Sequence, residues 1–571
     1  MTQMYPTFGT NVNKSPDPYF ESFKLFDPDA ASIIEAQASY FEVRPLKQDI
    51  DAAFKKNDFP YVYPDADDKF HAIALKYADI YLGPILAADV VTNGETLEFN
   101  VSSSSGIIGK KTGFPKTGDY LNSKVFEKYK DNINHVPVQL LNDKNEFLCS
   151  EDIARNKVRL VDCVDKTFLR KQKKCYQNQN KNIADASVEG VIAYGMVKQY
   201  GGFDRLVIEF EDCKLLSYSD VSGYDKASVL EDVYYLRNKY LRHPCQTPEV
   251  QIYWEDLIAY CTYWSLNPVR VLYDGRVVLL DHSNSSGQNN TSTDNSILHV
   301  IISNNLVLRC FYHVFQRLPD YKEFKACHKL KIYSDDKVLG LMFDMDPVEF
   351  KQIEISTYKL YGMTIKESAS VVFNHPGGLF LDTPISFLGS DSLWSPDVDC
   401  YLPVPRIGKL CTSLCRKLTL VENKVLDPVQ QFSKASMILS LLFGVDESIR
   451  QSVLKFIKFL GVSFPEFFTE FQSFLSENSL TGLIDDKSFT KSFDFLLTGR
   501  QSSGLKSNAS RVSIFSPSEA GNEVGFNKFM SGKTKAQKAY ANKALPSLPK
   551  GGGGKKHVPQ KRIMATNTGG P

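Results

Sequence analysis

Three acidic residues in two separate places are the first candidates for chemistry. The stretch CKLLSYS (213–219) reads as a short buried strand, and it runs straight into Asp220. Further on, HKLKIYSDDKVLGLMF (328–343) alternates apolar and polar residues, turns through Ser334–Lys337 and resumes as a second apolar strand. That is the pattern of a hairpin, with Asp335 and Asp336 at its turn. Were both elements neighbours in one sheet, their carboxylates would converge at one edge. Converging carboxylates repel one another unless divalent cations stand between them. Hard oxygen donors suit Mg²⁺, and a pair of such ions suits phosphoryl transfer. Taken alone, an Asp-Asp pair in a turn is most often a solvated loop, and the spacing Asp220 to Asp225 is common by chance.

Between the two acidic places lies NSSGQNNTSTDN (284–295). Ser286-Gly287 gives a flexible loop, Thr291 opens a helix, and Asn295 follows one turn on, so a hydroxyl and an amide share one helix face. The same residue types are the usual caps of a helix N-terminus, and both readings stand at this point. The helix continues with Ile297, Ile301, Leu308, Phe311 and Phe315 as an apolar face for the core.

These elements sit in a chain of 571 residues, 43% hydrophobic and 23% charged, which excludes a wholly disordered or fibrous protein. No run of apolar residues reaches the length of a membrane span, and MTQMYPTFGTNVNK at the start lacks the basic-then-apolar pattern of a secretory signal. The sequence therefore predicts a cytosolic protein with no transmembrane segment. Eleven cysteines without a C-x-x-C pair exclude a zinc framework or disulfide scaffold and predict reduced thiols. The net charge of +1 conceals an asymmetry: residues 501–571 carry +10 and the remainder −9. That Ser/Gly/Lys-rich tail, with GGGGKK at 551–556, is predicted to be disordered. Residues 405–498 have a helical texture, the Ser/Gly/Lys-rich 102–118 reads as a loop, and the charged stretch 155–174 suits a partly exposed strand.

In order, these segments resemble the motifs of viral RNA-dependent RNA polymerases of the picornavirus-like supergroup. DVSGYD (220–225) resembles motif A. NSSGQNNTSTDN resembles motif B, in wording similar to astroviruses and potyviruses. YSDD (333–336) resembles motif C, YGMTIKES (361–368) motif D, and SFLG (386–389) with PVPRIGKL (403–410) motif E. Upstream, KVRLV (157–161) resembles motif F, and the 102–118 loop motif G. The matches follow the family's order across residues 102–410. Ser334 stands where the supergroup usually has Gly, Ser285 where astroviruses favour Pro, and Lys110 and Lys111 where motif G usually has hydroxyl residues.

The resemblance implies an α+β right-hand polymerase with an antiparallel palm sheet: residues 1–210 as N-terminal region and fingers, 211–400 as palm with an inserted fingers segment, 401–500 as helical thumb, and 501–571 as the basic tail. It implies that Asp220, Asp335 and Asp336 bind two Mg²⁺ ions, with Mn²⁺ as a substitute, and that Lys366 acts as general acid. By the same resemblance Asp225, Asn295, Ser286 and Thr291, beside Gly287, recognise the NTP ribose, while Lys157 and Arg159 neutralise its triphosphate. The implied partners are RNA template and nascent RNA, NTPs, a protein primer and other viral replication proteins, in replication complexes of the host cytoplasm. Two other classes compete. Tyr333-Ser-Asp-Asp336 also fits the Y-x-D-D of reverse transcriptases, although Asp225 stands where those enzymes need a bulky block and Asn295 where a ribose-selective partner would. A non-enzymatic RNA-binding protein would act through the basic tail.

Overall fold

The structure is a computed structural model that describes residues 12–466 apart from short stretches, the longest being 376–383 and 418–427. Residues 1–11 and 467–571 lie outside the described residues, so the predictions for the tail and for the end of the helical region fall there.

Alternating and apolar segments build a four-stranded antiparallel sheet in the order His328–Tyr333, Asp336–Leu341, Leu215–Tyr218, Val371–Asn374. The hairpin and the 215–218 strand are direct neighbours, with Val338 opposite Tyr218. Followed two residues further, that antiparallel register brings Asp336 level with Asp220 at the same end of the sheet. The turn is tighter than the sequence predicts. Only Ser334 and Asp335 lie outside the strands, and Tyr333 pairs with Asp336.

The long helix Thr291–Phe315 packs on this sheet and against helices Lys69–Leu86 and Pro347–Lys359. It is long and apolar enough to cross a membrane, but it is the central helix of this core. The expected single apolar face is a correction: residues 293–308 are buried all round, because protein covers every side, while Phe315 is exposed. Its polar first turn is satisfied internally. Asp294 accepts from Arg237 Nε at 2.6 Å and from Tyr234 Oη at 3.0 Å, with both members of the ion pair fully buried. Buried charges persist only when paired in this way.

A second sheet runs Val277–Leu279, Val269–Val271, Val138–Asp143, Leu160–Cys163, with one parallel pairing, between Val269–Val271 and Val138–Leu140. The expected strand over 155–174 shrinks here to Leu160–Cys163. Helix Lys166–Asp185 follows at once, because Asp165 caps it by accepting from Thr167 N and because Phe168, Cys175, Tyr176 and Ile183 share a buried side. The predicted 102–118 loop contains a short helix, Gly106–Lys111.

A separate core joins the two ends of the described chain. Helices Ile407–Cys415, Pro428–Leu441 and Glu447–Ser463 share buried residues with Pro18–Phe26 and Pro28–Gln37, including Phe20, Phe23 and Phe456. Phe23 and Phe456 meet at 5.1 Å, and Asp17 N donates to the Cys415 carbonyl at 2.9 Å. Within the first 210 residues, those of 17–38 thus pack with the C-terminal helices. All eleven cysteines are free.

Candidate active site

The sheet edge gathers the acidic residues. Asp335 and Asp336 reach solvent, yet surrounding protein crowds them from behind. That crowding, followed by the charges of Asp335 and Asp220, pushes the Asp336 carboxyl up to about 7. Asp335 is raised as well, by burial first and then by Asp225 and Asp220. The carboxylates therefore repel one another across one small space, which is the condition a divalent cation relieves. Among the described residues no group of three or more His, Cys, Asp or Glu side chains is drawn into a ready-made metal cage. The donor set itself, hard oxygens on an open edge, fits a cation that keeps water and takes its remaining ligands from a substrate phosphate.

Lys366 lies at the same place. Strand Thr364–Ile365 pairs with Val221–Ser222, Lys366 N donates to the Asp220 carbonyl at 2.8 Å, and its Nζ donates to Asp220 Oδ2 at 2.8 Å. Both side chains are about half exposed, at 43% and 45%. A cationic side chain therefore already sits on the carboxylate.

The chain turns from Asp220 toward Asp225 through Gly223, at φ +61° and with the Phe59 ring packed where a Cβ would stand. Asp225 then meets Asn295, whose Nδ2 donates to Asp225 Oδ1 at 2.5 Å and to Ser334 Oγ at 3.0 Å. Asn284 Nδ2 donates to Asn295 Oδ1 at 2.8 Å, so the amide is held at both ends. Burial raises the Asp225 carboxyl, with Lys226 and Asn295 opposing.

Ser286, Gly287 and Thr291 are engaged elsewhere. Ser286 Oγ accepts from Asp162 N at 3.0 Å, and Ser286 N donates to Asp162 Oδ2 at 3.2 Å. A Cβ on Gly287 would lie 2.0 Å from the Asp162 carbonyl oxygen, so only glycine lets the loop lie against this strand. Thr291 Oγ1 donates to the Ser285 carbonyl at 2.6 Å and closes the loop; the cap position itself is Asn290, whose side chain makes no capping bond. Lys157 pairs with Asp152 at 2.9 Å and Arg159 with Glu146 at 3.4 Å, both ahead of the strand that begins at Leu160. Neither basic side chain contacts the acidic cluster here.

Several supporting residues escape the sequence reading. Asp162 and Arg270 form a buried pair at 2.7 Å, and Arg270 Nη2 also donates to Ser283 Oγ, whose backbone stands at φ +98°. Ser283 Oγ and Asn284 N in turn hold the Asp225 carbonyl. Beneath the turn, His299 Nδ1 lies 2.9 Å from the Ser334 carbonyl and Nε2 lies 2.5 Å from Tyr358 Oη. A carbonyl only accepts, so Nδ1 carries the proton and Nε2 accepts from the tyrosine. Burial lowers the His299 pKa to about 3. Lys337 and Glu354, both fully buried, pair at 2.6 Å, and Ser219 Oγ donates to the same carboxylate at 3.0 Å. Only the unusual polar content of the helix, with Asn and His among its apolar residues, hinted at this network.

A carboxylate-edged antiparallel sheet, backed by a helix that offers an amide to a neighbouring carboxylate, is suited to hold divalent cations for phosphoryl transfer. Residues 123–389 match the family model described as viral RNA-dependent RNA polymerase. Non-structural polyprotein 1AB of Turkey astrovirus 2 is 25% identical over 353 residues, covering 59% of this chain and 21% of the polyprotein. The same-named polyprotein of Avian nephritis virus 1 is 22% identical over 283 residues, covering 47% and 18%. The genome polyprotein of Zucchini yellow mosaic virus (strain Singapore) is 28% identical over 161 residues, covering 28% and 5%. The chain spans 21% or less of the length of these relatives. Residues 123–389 thus carry the sequence pattern of a viral RNA-dependent RNA polymerase domain.

Proposed function

We propose that the chain extends an RNA 3′ end with NTPs under direction of an RNA template, for replication and transcription of a viral genome. The observation that carries this reading is the shared sheet edge of Asp220, Asp335 and Asp336 with the Asp225–Asn295 pair one turn away. Asp220 and Asp335, assisted by Asp336, hold two Mg²⁺ ions, with Mn²⁺ as the substitute. Bound there, the ions supply the charge that acidifies the primer 3′-hydroxyl and balances the departing pyrophosphate. Asp225 and Asn295 hydrogen-bond the ribose 2′-hydroxyl, so a deoxy substrate leaves buried polar groups unpaired. Ser286, Gly287 and Thr291 shape the loop that presents this pair. Lys366 gives up its contact with Asp220 and delivers a proton to pyrophosphate. Lys157 and Arg159 exchange their carboxylate partners for the incoming triphosphate.

In right-hand terms the 215–374 sheet is the palm, the 138–163 and 269–279 strands belong to the fingers, and the helices after Ile407 form the thumb. Template and nascent RNA occupy the cleft between them, and a protein primer and other viral replication proteins join it in replication complexes of the host cytoplasm. Extension of an RNA primer on an RNA template, compared between NTPs and dNTPs, tests the reading. Preference for NTPs, weakened by Asp225→Ala, supports it; faster extension with dNTPs makes the chain a reverse transcriptase instead.

A further inference from the structure

Ser334 occupies a backbone position that favours glycine, at φ +57°, and glycine is the usual residue there in the polymerases the chain resembles. A serine held in that conformation needs a compensating contact, and the structure supplies one. All three polar groups of Ser334 meet one helix, Thr291–Phe315. Its N donates to Ser296 Oγ at 2.8 Å, its carbonyl accepts from His299 Nδ1 at 2.9 Å, and its Oγ accepts from Asn295 Nδ2 at 3.0 Å. Glycine would keep the two backbone bonds and lose only the third.

That third bond reaches the ribose-sensing residue. The Asn295 amide spends one N–H on Asp225 and the other on Ser334, while its oxygen accepts from Asn284. These contacts use both N–H groups and one lone pair of the oxygen, and they fix the amide plane while leaving a lone pair for the ribose. Removing the Ser334 hydroxyl takes away the acceptor that one N–H has here, and the amide gains freedom to rotate away from Asp225.

We infer that Ser334 is a positioning residue for ribose selection: its side chain locks the Asn295 amide toward Asp225 and so couples the turn that carries Asp335 to discrimination between NTP and dNTP. This rests on the polymerase reading above and adds to it a residue whose role lies outside metal binding.

The test measures kcat/KM for ATP and for dATP on an RNA primer–template, in wild type, Ser334→Gly, Ser334→Ala, Asn295→Ala and the Ser334→Gly/Asn295→Ala double variant. Glycine relaxes the backbone and alanine keeps its strain, yet both lack the hydroxyl. The ATP/dATP ratio is expected to fall about two- to tenfold in both single Ser334 variants, the effect of one lost hydrogen bond. In the Asn295→Ala background, Ser334→Gly is expected to change the ratio no further. An unchanged ratio in Ser334→Gly overturns the inference, as does a fall confined to Ser334→Ala or an equal fall in the Asn295→Ala background. Those results leave the polymerase reading intact. A wild-type protein that incorporates neither nucleotide removes the polymerase reading and the inference together.

Discussion

The buried pair Lys337–Glu354 invites the sharpest stability test. Both side chains are fully inaccessible, their charged atoms are 2.6 Å apart, and Glu354 also receives the Ser219 hydroxyl from the strand that leads into Asp220. Lys337 directly follows Asp336. The pair therefore joins the hairpin, the neighbouring strand and helix Pro347–Lys359 beneath the carboxylates. Lys337→Met strands the carboxylate in the core, which costs about 3–5 kcal/mol. Domain stabilities are roughly 5–15 kcal/mol, so this is a large share. Replacing both partners, Lys337→Met with Glu354→Met, removes the uncompensated charge and is expected to recover most of the loss. Burial alone would pull the Lys337 pKa down, but Glu354 overrides it and holds the ammonium above the ordinary lysine value. A raised lysine pKa stabilises fully below its unfolded value of about 10.4 and fails only as pH rises beyond it. The pair itself should therefore stand intact in wild type at both pH 6 and pH 9, with wild type more stable than the single variant at each. Urea unfolding followed by tryptophan fluorescence reads both quantities. A single variant within about 1 kcal/mol of wild type, or a double variant as unstable as the single, refutes the reasoning, because either would mean that the charge is not isolated by the core.

Further predictions follow from other contacts. Gly287→Ala drives a methyl into the Asp162 carbonyl, so the protein should stay folded by circular dichroism while primer extension falls by about tenfold or more, near 1.4 kcal/mol of misplacement. Lys366→Ala should lower kcat by about 10²-fold with little change in KM for NTP, as loss of a general acid does, in single-turnover kinetics. His299 is neutral in the fold and titrates near 3, against about 6.5 when unfolded, so the unfolded chain binds the extra proton and stability falls as pH drops from 6.5 toward 3. His299→Gln, which can still bond both neighbours, should flatten that part of a thermal-unfolding pH profile.

The parts legible in the sequence are those written in local pattern. The apolar alternation of 328–341 shows the hairpin, and the apolar run before Asp220 shows its neighbour, so the meeting of the carboxylates follows from two adjacent strands. The spacing of Thr291 and Asn295 places both on one helix, but which of them faces Asp225 depends on a loop folding over a strand more than a hundred residues earlier. Helix Lys166–Asp185 is misread for a different reason. Lys171 and Gln172 fall in the stretch expected as a partly exposed strand, yet with Gln179 and Asn180 they are buried through bonds such as Gln172 Nε2 to Ser265 Oγ at 2.9 Å and Arg237 Nη2 to Asn180 Oδ1 at 3.1 Å. Polar side chains that satisfy one another look exposed in a pattern and are core in space. The joining of residues 17–38 to the C-terminal helices is likewise a contact between chain ends, with no local signal.

The proposed chemistry is nucleotidyl transfer by the paired carboxylates at the hairpin turn. Its most direct measurement is Mg²⁺-dependent incorporation of labelled NTP on a homopolymeric RNA template with an oligonucleotide primer, for wild type beside Asp335→Ala. Incorporation by wild type that disappears on chelation and in Asp335→Ala, with the variant still folded, is the predicted result. Incorporation that persists in Asp335→Ala contradicts the placement of the site.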